Sequence, residues 1–215
     1  AWLDEGVATF FELEILDEYF KDSTSYFDWS FMPVQAWQVM RMKYTTMEPV
    51  DPVLKESWKF LDHNQYEANV YAKTAMLLRS LKQTTGKERM FDFFRYYARK
   101  FKYKHPNTDD FINTFNAFME EDYTWAFDRY IRTPERLDHA VQSIRSIPIG
   151  KNPTRYKNEA VFIRKEGYFP VKLTITLKNG KEIKSAWQDR EKWKRITFED
   201  NSPIRQATID PGNKI

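Results

Sequence analysis

Apolar residues recur at intervals of three and four along the first 133 residues, a spacing typical of amphipathic helices. Gly86 and Pro106 interrupt the pattern, and Asn107-Thr108 can cap a helix before Asp109-Asp110. Residues 1–133 are therefore predicted to form a helical bundle. Three apolar stripes mark its helices: Val7, Phe11, Ile15 and Tyr19; Met90, Phe94, Tyr97 and Phe101; and Phe111, Phe115, Phe118 and Met119.

The apolar period changes to two after residue 157, which indicates β-strands. Strict alternation over 171–178 is followed by Asn179-Gly180 and a second strand-like segment over 181–187, so a hairpin is predicted whose turn has positive φ at both Asn179 and Gly180. Five strands within about sixty residues indicate a small β-sandwich, or a sheet packed on the bundle. The three shorter predicted strands are Val161–Arg164, Arg195–Phe198 and Gln206–Ile209.

The segment between these two patterns, residues 134–156, contains Pro148, Gly150 and Pro153 and is predicted to be a linker. The fold class is therefore α+β. A helical part over 1–133 is followed by the linker and by a small β-sandwich-like domain over 157–215.

Composition narrows the function classes. Aromatic residues make up 17% of the chain and charged residues 30%, as expected of a globular protein, and no stretch is long and apolar enough to cross a membrane. The net charge of +3 is too small to favour nucleic acid. Arg99–Lys104 is the densest basic patch, for which a solvated helix face is favoured over a nucleic-acid surface. The absence of cysteine excludes disulfides and thiolate metal sites.

Three residues are candidates for chemistry, and each has a structural alternative. Glu5 and Glu12 are seven residues apart, so on a helix they lie two turns apart on one face. An acidic residue near a helix start is also favoured by the helix dipole, and Glu12 could be an ordinary solvated glutamate. Tyr71 could belong to the core stripe of a helix, with Thr74, Leu78 and Leu81.

The first segment, Trp2-Leu3-Asp4-Glu5-Gly6-Val7-Ala8, resembles the W-L-N-E-G-[FHV]-A segment of the aminopeptidase N family of zinc metallopeptidases, the gluzincins. The resemblance implies that Glu5 is the third zinc ligand. It also implies that Glu12 hydrogen-bonds a zinc-binding histidine and so fixes its tautomer. Asp4 departs from the family pattern, in which asparagine is usual.

A second segment, over residues 69–78, resembles the family's Y-x-K-G-A motif. This likeness implies that the Tyr71 hydroxyl stabilises the oxyanion of a tetrahedral intermediate. Thr74 stands where the family usually has glycine, which predicts a slightly different helix fit. Weaker similarity extends through residues 78–94 and into the β-rich part, so the likeness covers nearly the whole chain, but only the first two segments are specific.

Part of the family's active site has no counterpart in these residues. The family needs H-E-x-x-H, which supplies two histidine ligands and a general base, and that motif would precede Glu5 by about 18 residues. His63, His105 and His139 lack ligand spacing and are expected to be surface or capping residues. One carboxylate does not hold zinc tightly, so this chain alone is expected to be metal-free and inactive.

The resemblance thus implies the C-terminal part of a thermolysin-like catalytic domain, from a bacterial-type zinc aminopeptidase that hydrolyses N-terminal residues from peptides. Its partners would be the peptide substrate and the upstream half of the same domain. The rival hypothesis is a non-catalytic scaffold or protein-interaction module with the same fold. Bacterial relatives with such a β-domain are often exported, so the resemblance favours a periplasmic or secreted protein.

Overall fold

The computed structural model describes residues 1–20, 27–29, 32–48, 50–150 and 154–211. The chain forms two compact units, Ala1–Arg136 and Leu137–Ile215. In the described ranges, no helix combines the length and apolar character that crossing a membrane requires.

The first unit is mainly helical. It begins with a π-helical turn, Trp2–Gly6, that continues directly into α1, and a second π-helical segment, Glu67–Lys73, leads into α4. A two-stranded sheet and a 3₁₀ turn, Ser57–Lys59, complete the unit. Its helices and strands are α1 Val7–Phe20, β1 Phe27–Trp29, β2 Met32–Val34, α2 Ala36–Thr46, α3 His63–Tyr66, α4 Thr74–Thr85, α5 Lys87–Lys100, α6 Thr108–Met119 and α7 Thr124–Tyr130.

Aromatic side chains from α5, α6 and α7 form the core of this unit. Phe93 and Phe115 are fully buried, with ring centroids 4.8 Å apart in an edge-to-face arrangement. The apolar stripes predicted for α5 and α6 are confirmed. The predicted cap is confirmed as well, because the Asn107 side chain accepts a hydrogen bond from Asp110 N, and the Asp110 side chain accepts one from Asn107 N.

The stripe predicted for α1 is wrong, although the helix itself is present. Ile15 and Tyr19 have 65% and 79% of their surface exposed, whereas Phe10, Leu13 and Glu14 are buried. The physical reason is that a distant helix supplies cationic partners for Glu14, as described below. A polar residue can therefore occupy the inner face, and local periodicity does not reveal this.

The second unit contains two three-stranded antiparallel sheets, with strand orders β3-β4-β7 and β6-β5-β8. Phe162, Leu173 and Trp187 lie in a core that both sheets share, so the β-sandwich is confirmed. The strands are β3 Asp138–Ile149, β4 Arg155–Glu166, β5 Val171–Leu177, β6 Glu182–Trp187, β7 Trp193–Asp200 and β8 Ile204–Ile209.

The predicted hairpin is β5–β6, in which Val171 pairs with Trp187. Its turn differs from the prediction, because only Gly180 has positive φ, at 86°. Gly180 N donates to Leu177 O at 3.0 Å, and Leu177 N donates to Lys181 O at 2.9 Å. The loop therefore has three residues, 178–180, with the glycine in the left-handed position, and it is not the two-residue turn that Asn-Gly suggests.

Strand β3 occupies residues 138–149, most of the segment predicted to be a linker, and the second unit begins at Leu137 rather than at residue 157. Two features concealed the strand. It lies at the edge of its sheet and is mostly exposed, so its composition is mixed and includes Pro148. The pairing register also shifts between Val141 and Ser143, which interrupts the two-residue alternation.

Candidate active site

The N-terminal segment is anchored by Trp2, which is almost completely buried. Its indole Nε1 donates a hydrogen bond to Thr108 Oγ1 at 3.1 Å, and its ring contacts Phe111 edge-on with centroids 5.2 Å apart. Asp4 is exposed and Glu5 is half-buried. Trp2 thus fixes the start of the helix on the aromatic core and leaves Glu5 in a defined position.

Both of the sequence segments singled out above are π-helical in the structure. Glu5 lies in the turn Trp2–Gly6 and Tyr71 lies in the segment Glu67–Lys73. Short π-helical insertions are rare and are frequently found at functional sites, because they change the direction of a side chain without ending the helix. The two segments also pack against each other.

Gly6 is the point of closest approach between the two segments. A Cβ atom at Gly6 would lie 2.6 Å from Val70 O and 2.6 Å from Thr74 Cβ, and it would also collide with Thr74 Cγ2. Any larger residue at position 6 would therefore push the segments apart. Thr74 replaces the family's usual glycine, and in this chain the close approach depends on the glycine of the opposite helix.

Tyr71 and Glu5, the two strongest sequence candidates, lie on the two π-helical segments that pack against each other. Burial, together with the nearby Glu5 carboxylate, raises the pKa of Tyr71 to about 12. The hydroxyl therefore stays protonated at neutral pH and can act as a hydrogen-bond donor. Tyr71 is half-buried, whereas Leu78 and Leu81 of the alternative core stripe are fully buried.

Aromatic residues that no motif marks adjoin Tyr71. The rings of Tyr66 and Tyr71 meet edge-on with centroids 5.9 Å apart, and Phe60 contacts the far side of this pair at 5.3 Å from Tyr66. Glu67 lies in the same π-helical segment, and its hydrogen bond with Lys43 lowers the pKa of its carboxyl. In the sequence, these residues are marked only by lying near Tyr71. Helix α3 has four residues, too few to show an apolar period.

The remaining predicted residue, Glu12, is exposed on α1. His63 is exposed and lies 3.2 Å from Glu67, and His105 is also exposed. His139 differs from the prediction of a surface or capping residue: its Nε2 accepts a hydrogen bond from Arg164 Nε at 2.9 Å, and its ring packs on Trp187. Burial, with the adjacent Arg164 charge, lowers the pKa of His139 to about 4.

The donor set for a metal is incomplete in the part of the chain that the structure describes. No group of three histidine, aspartate or glutamate side chains is placed there to hold an ion. Glu5 offers one half-buried carboxylate, a ligand type that zinc takes in proteins.

A comparison with known protein families identifies the family of this chain. Residues 1–130 match the family described as the Peptidase family M1 domain. The chain belongs to peptidase family M1, which confirms the resemblance to aminopeptidase N-like enzymes.

The fold agrees with a solved structure from this class. Legionella pneumophila aminopeptidase A, in complex with aspartic acid, is similar over 97% of this chain, with a TM-score of 0.62 and 13% sequence identity. This likeness confirms the α+β arrangement of a helical part followed by a small β-domain. The chain spans 22% of the length of that enzyme. A comparison with curated proteins gives no match.

Proposed function

We propose that this chain supplies one side of the active site of a zinc aminopeptidase, which removes N-terminal residues from peptides. The observation that carries the proposal is the packing of the π-helical segment of Glu5 against that of Tyr71, in a chain of peptidase family M1. The two residues come from segments 66 positions apart, and both are the residues that the family motifs single out.

Glu5 is the metal ligand in this proposal. Its carboxylate is half-buried at the start of α1, and Trp2 and Gly6 hold the backbone on either side. When bound, zinc would polarise the scissile carbonyl and activate a water molecule. Glu12 lies on the same helix and would accept a hydrogen bond from a histidine ligand, which fixes the orientation of that histidine.

Tyr71 has the protonation state that its proposed role requires. A phenol with a pKa of about 12 is a stable donor at neutral pH, and it can give its hydrogen bond to the negative oxygen of a tetrahedral intermediate.

The histidine ligands and the general base would come from the upstream half of the catalytic domain. No H-E-x-x-H is present among the 215 residues, and Glu5 alone binds zinc weakly, so the chain by itself should not hydrolyse peptides.

The test is the zinc content of the full-length protein carrying Glu5→Gln, measured by mass spectrometry of the metal after dialysis. The amide is a much poorer zinc ligand than the carboxylate, so we expect zinc to fall from one equivalent to a small fraction. Asp4→Asn is the matched control, because Asp4 is adjacent and exposed, and we expect full zinc content there. Equal zinc content in Glu5→Gln and Asp4→Asn would contradict the proposed ligand.

The alternative function is a non-catalytic scaffold with the same fold. It is favoured by the incomplete metal-donor set of the described residues and by the departures from the family pattern at Asp4 and Thr74. The upstream sequence discriminates between the two functions. An H-E-x-x-H whose second histidine precedes Glu5 by about 19 positions supports the enzyme, since that spacing completes the ligand set. Replacement of those histidines by non-ligating residues supports the scaffold.

A further inference from the structure

Helices α1 and α4 lie side by side and run in the same direction. Residues farther along α1 meet residues correspondingly farther along the π-helical segment and α4, so the two helices keep one register over several turns. Two contacts show this, Gly6 with Thr74 and Glu14 with Lys82, and the neighbouring Glu5 carboxylate is near enough to Tyr71 to raise its pKa.

The end of this helix pair away from Tyr71 contains a cluster of buried charges. Glu14 Oε2 accepts a hydrogen bond from Lys82 Nζ at 2.6 Å, and Glu14 Oε1 lies 3.3 Å from Arg79 Nη1. Arg79 Nη1 also donates to Asp17 Oδ2 at 2.7 Å. Glu14, Arg79 and Lys82 are each less than 10% exposed, and burial lowers the pKa of Lys82 despite the adjacent carboxylate.

Stability alone does not explain such a cluster. Taking charges out of water is costly, and a buried ion pair can often be replaced by packed apolar residues without loss of stability. In some proteins a buried polar or ionic group instead fixes the register of packed helices. If α1 moved one turn along α4, a shift of about 5.4 Å, Glu14 and Lys82 would separate and each would remain buried without its partner.

The same shift would separate Glu5 from Tyr71, because both pairs lie on the same two helices. The close approach of Gly6 to Thr74 sets the distance between the helices. A threonine methyl group against a glycine is a non-directional van der Waals contact, because glycine has no side chain that interlocks with it. The contact therefore resists sliding less than a bidentate ion pair does.

We propose that the cluster of Glu14, Asp17, Arg79 and Lys82 sets the register of α1 on α4 and thereby positions Glu5 against Tyr71. These four are positioning residues and do not touch the reacting atoms. The catalytic meaning of the register rests on the proposed function, whereas the register itself does not.

The test follows the contact between Gly6 and Thr74 by nuclear magnetic resonance in the 215-residue chain. With threonine methyl groups labelled, the Thr74 methyl should show a strong nuclear Overhauser effect to the Gly6 α-protons. In the double variant Glu14→Met/Lys82→Met, we expect this signal to fall more than twofold and the Thr74 methyl resonance to shift or split. The global unfolding midpoint should stay near that of the wild type.

The matched control is Glu18→Met/Lys87→Met, which removes an exposed ion pair of 3.1 Å that also involves α1. Here we expect an unchanged Thr74 signal. If the double variant at positions 14 and 82 does not fold, Glu14→Gln gives the same test with a smaller change in volume. An undiminished signal at a single unshifted Thr74 resonance in the folded variant would overturn the proposal.

This readout needs neither metal nor substrate. A full-length protein that lacked zinc or peptidase activity would contradict the proposed function and leave the register result intact. Conversely, an unchanged Thr74 signal would remove the positioning role of the cluster, and Glu5 and Tyr71 would keep their proposed roles.

Discussion

At the scale of single residues, Gly6 has no space for a side chain. Gly6→Ala adds a Cβ that would lie 2.6 Å from Val70 O, and a backbone oxygen cannot rotate away as a side chain can. We expect a loss of about 1–3 kcal/mol in the free energy of unfolding, measured by urea denaturation. Thr74→Gly in the same chain should restore only part of this loss, because the Val70 contact remains. A Gly6→Ala variant as stable as the wild type would contradict this close packing.

Two tyrosines whose hydroxyls differ in hydrogen bonding should differ in their response to substitution by phenylalanine. The Tyr97 hydroxyl is buried and, within the described ranges, has no hydrogen-bond partner. Tyr97→Phe removes that unsatisfied group, so it should leave stability unchanged or raise it by about 1 kcal/mol. The Tyr123 hydroxyl donates to Glu121 Oε2 at 2.9 Å, so Tyr123→Phe should cost about 0.5–1.5 kcal/mol. Thermal unfolding of both variants compares them, and equal losses would contradict the difference in hydrogen bonding.

The proposed roles of Glu5 and Tyr71 come from motif resemblance, but the packing of their two segments could not be derived from spacing alone. Tyr71 has the period of a core residue, and its proximity to Glu5 follows from the packing of two π-helical segments, which periodicity does not reveal. The burial of Glu14 could not be predicted from the sequence either. Its partners lie 65 and 68 positions away, so nothing local marks it as an inner residue.

At the scale of elements, the half-buried His139 on β3, hydrogen-bonded to Arg164 on β4, should make the stability of the β-unit depend on pH. Burial and the Arg164 charge lower the pKa of His139 from 6.5 to about 4, so the folded state keeps the imidazole neutral. Between these values the unfolded chain binds more protons than the folded chain. The contribution of the neutral His139 to the free energy of unfolding is therefore complete above about pH 6.5, and it is lost as the pH falls toward 4.

The variant His139→Gln tests this dependence. Relative to pH 7, the wild type should lose on the order of 2–3 kcal/mol more stability by pH 4 than the variant, measured by denaturant unfolding across that range. The control His105→Gln changes an exposed histidine and should keep the wild-type slope. Parallel pH profiles for wild type and His139→Gln would contradict the assignment.

The elements that the sequence predicted best are those whose packing partners follow the local period. Helices α5 and α6 bury their apolar stripes against each other, and β5 and β6 are adjacent in sequence and in the sheet. The errors fall where a distant element decides the outcome. Residues on α1 face α4, and β3 lies at a sheet edge with a bulge that breaks its alternation.

At the scale of the whole molecule, α1 leaves apolar side chains exposed. Ile15 and Tyr19 project from one side of the helix, with 65% and 79% of their surface accessible. We expect concentration-dependent self-association of the 215-residue chain in sedimentation velocity, because such surface favours contact with another copy. Ile15→Lys/Tyr19→Lys should abolish it, whereas Tyr103→Lys, at an exposed position beyond α5, should not. A wild-type chain that stays monomeric at all concentrations would contradict this expectation.

The central claim is that Tyr71 takes part in peptide hydrolysis, and steady-state kinetics of the full-length Tyr71→Phe protein tests it most directly. We predict a fall in kcat of about 10²–10³-fold with zinc content unchanged, because the variant loses only the oxyanion donor. Tyr96→Phe removes a hydroxyl from an exposed ring on α5 and should keep full activity. Unchanged kcat in Tyr71→Phe would contradict the catalytic role and leave the scaffold as the better description.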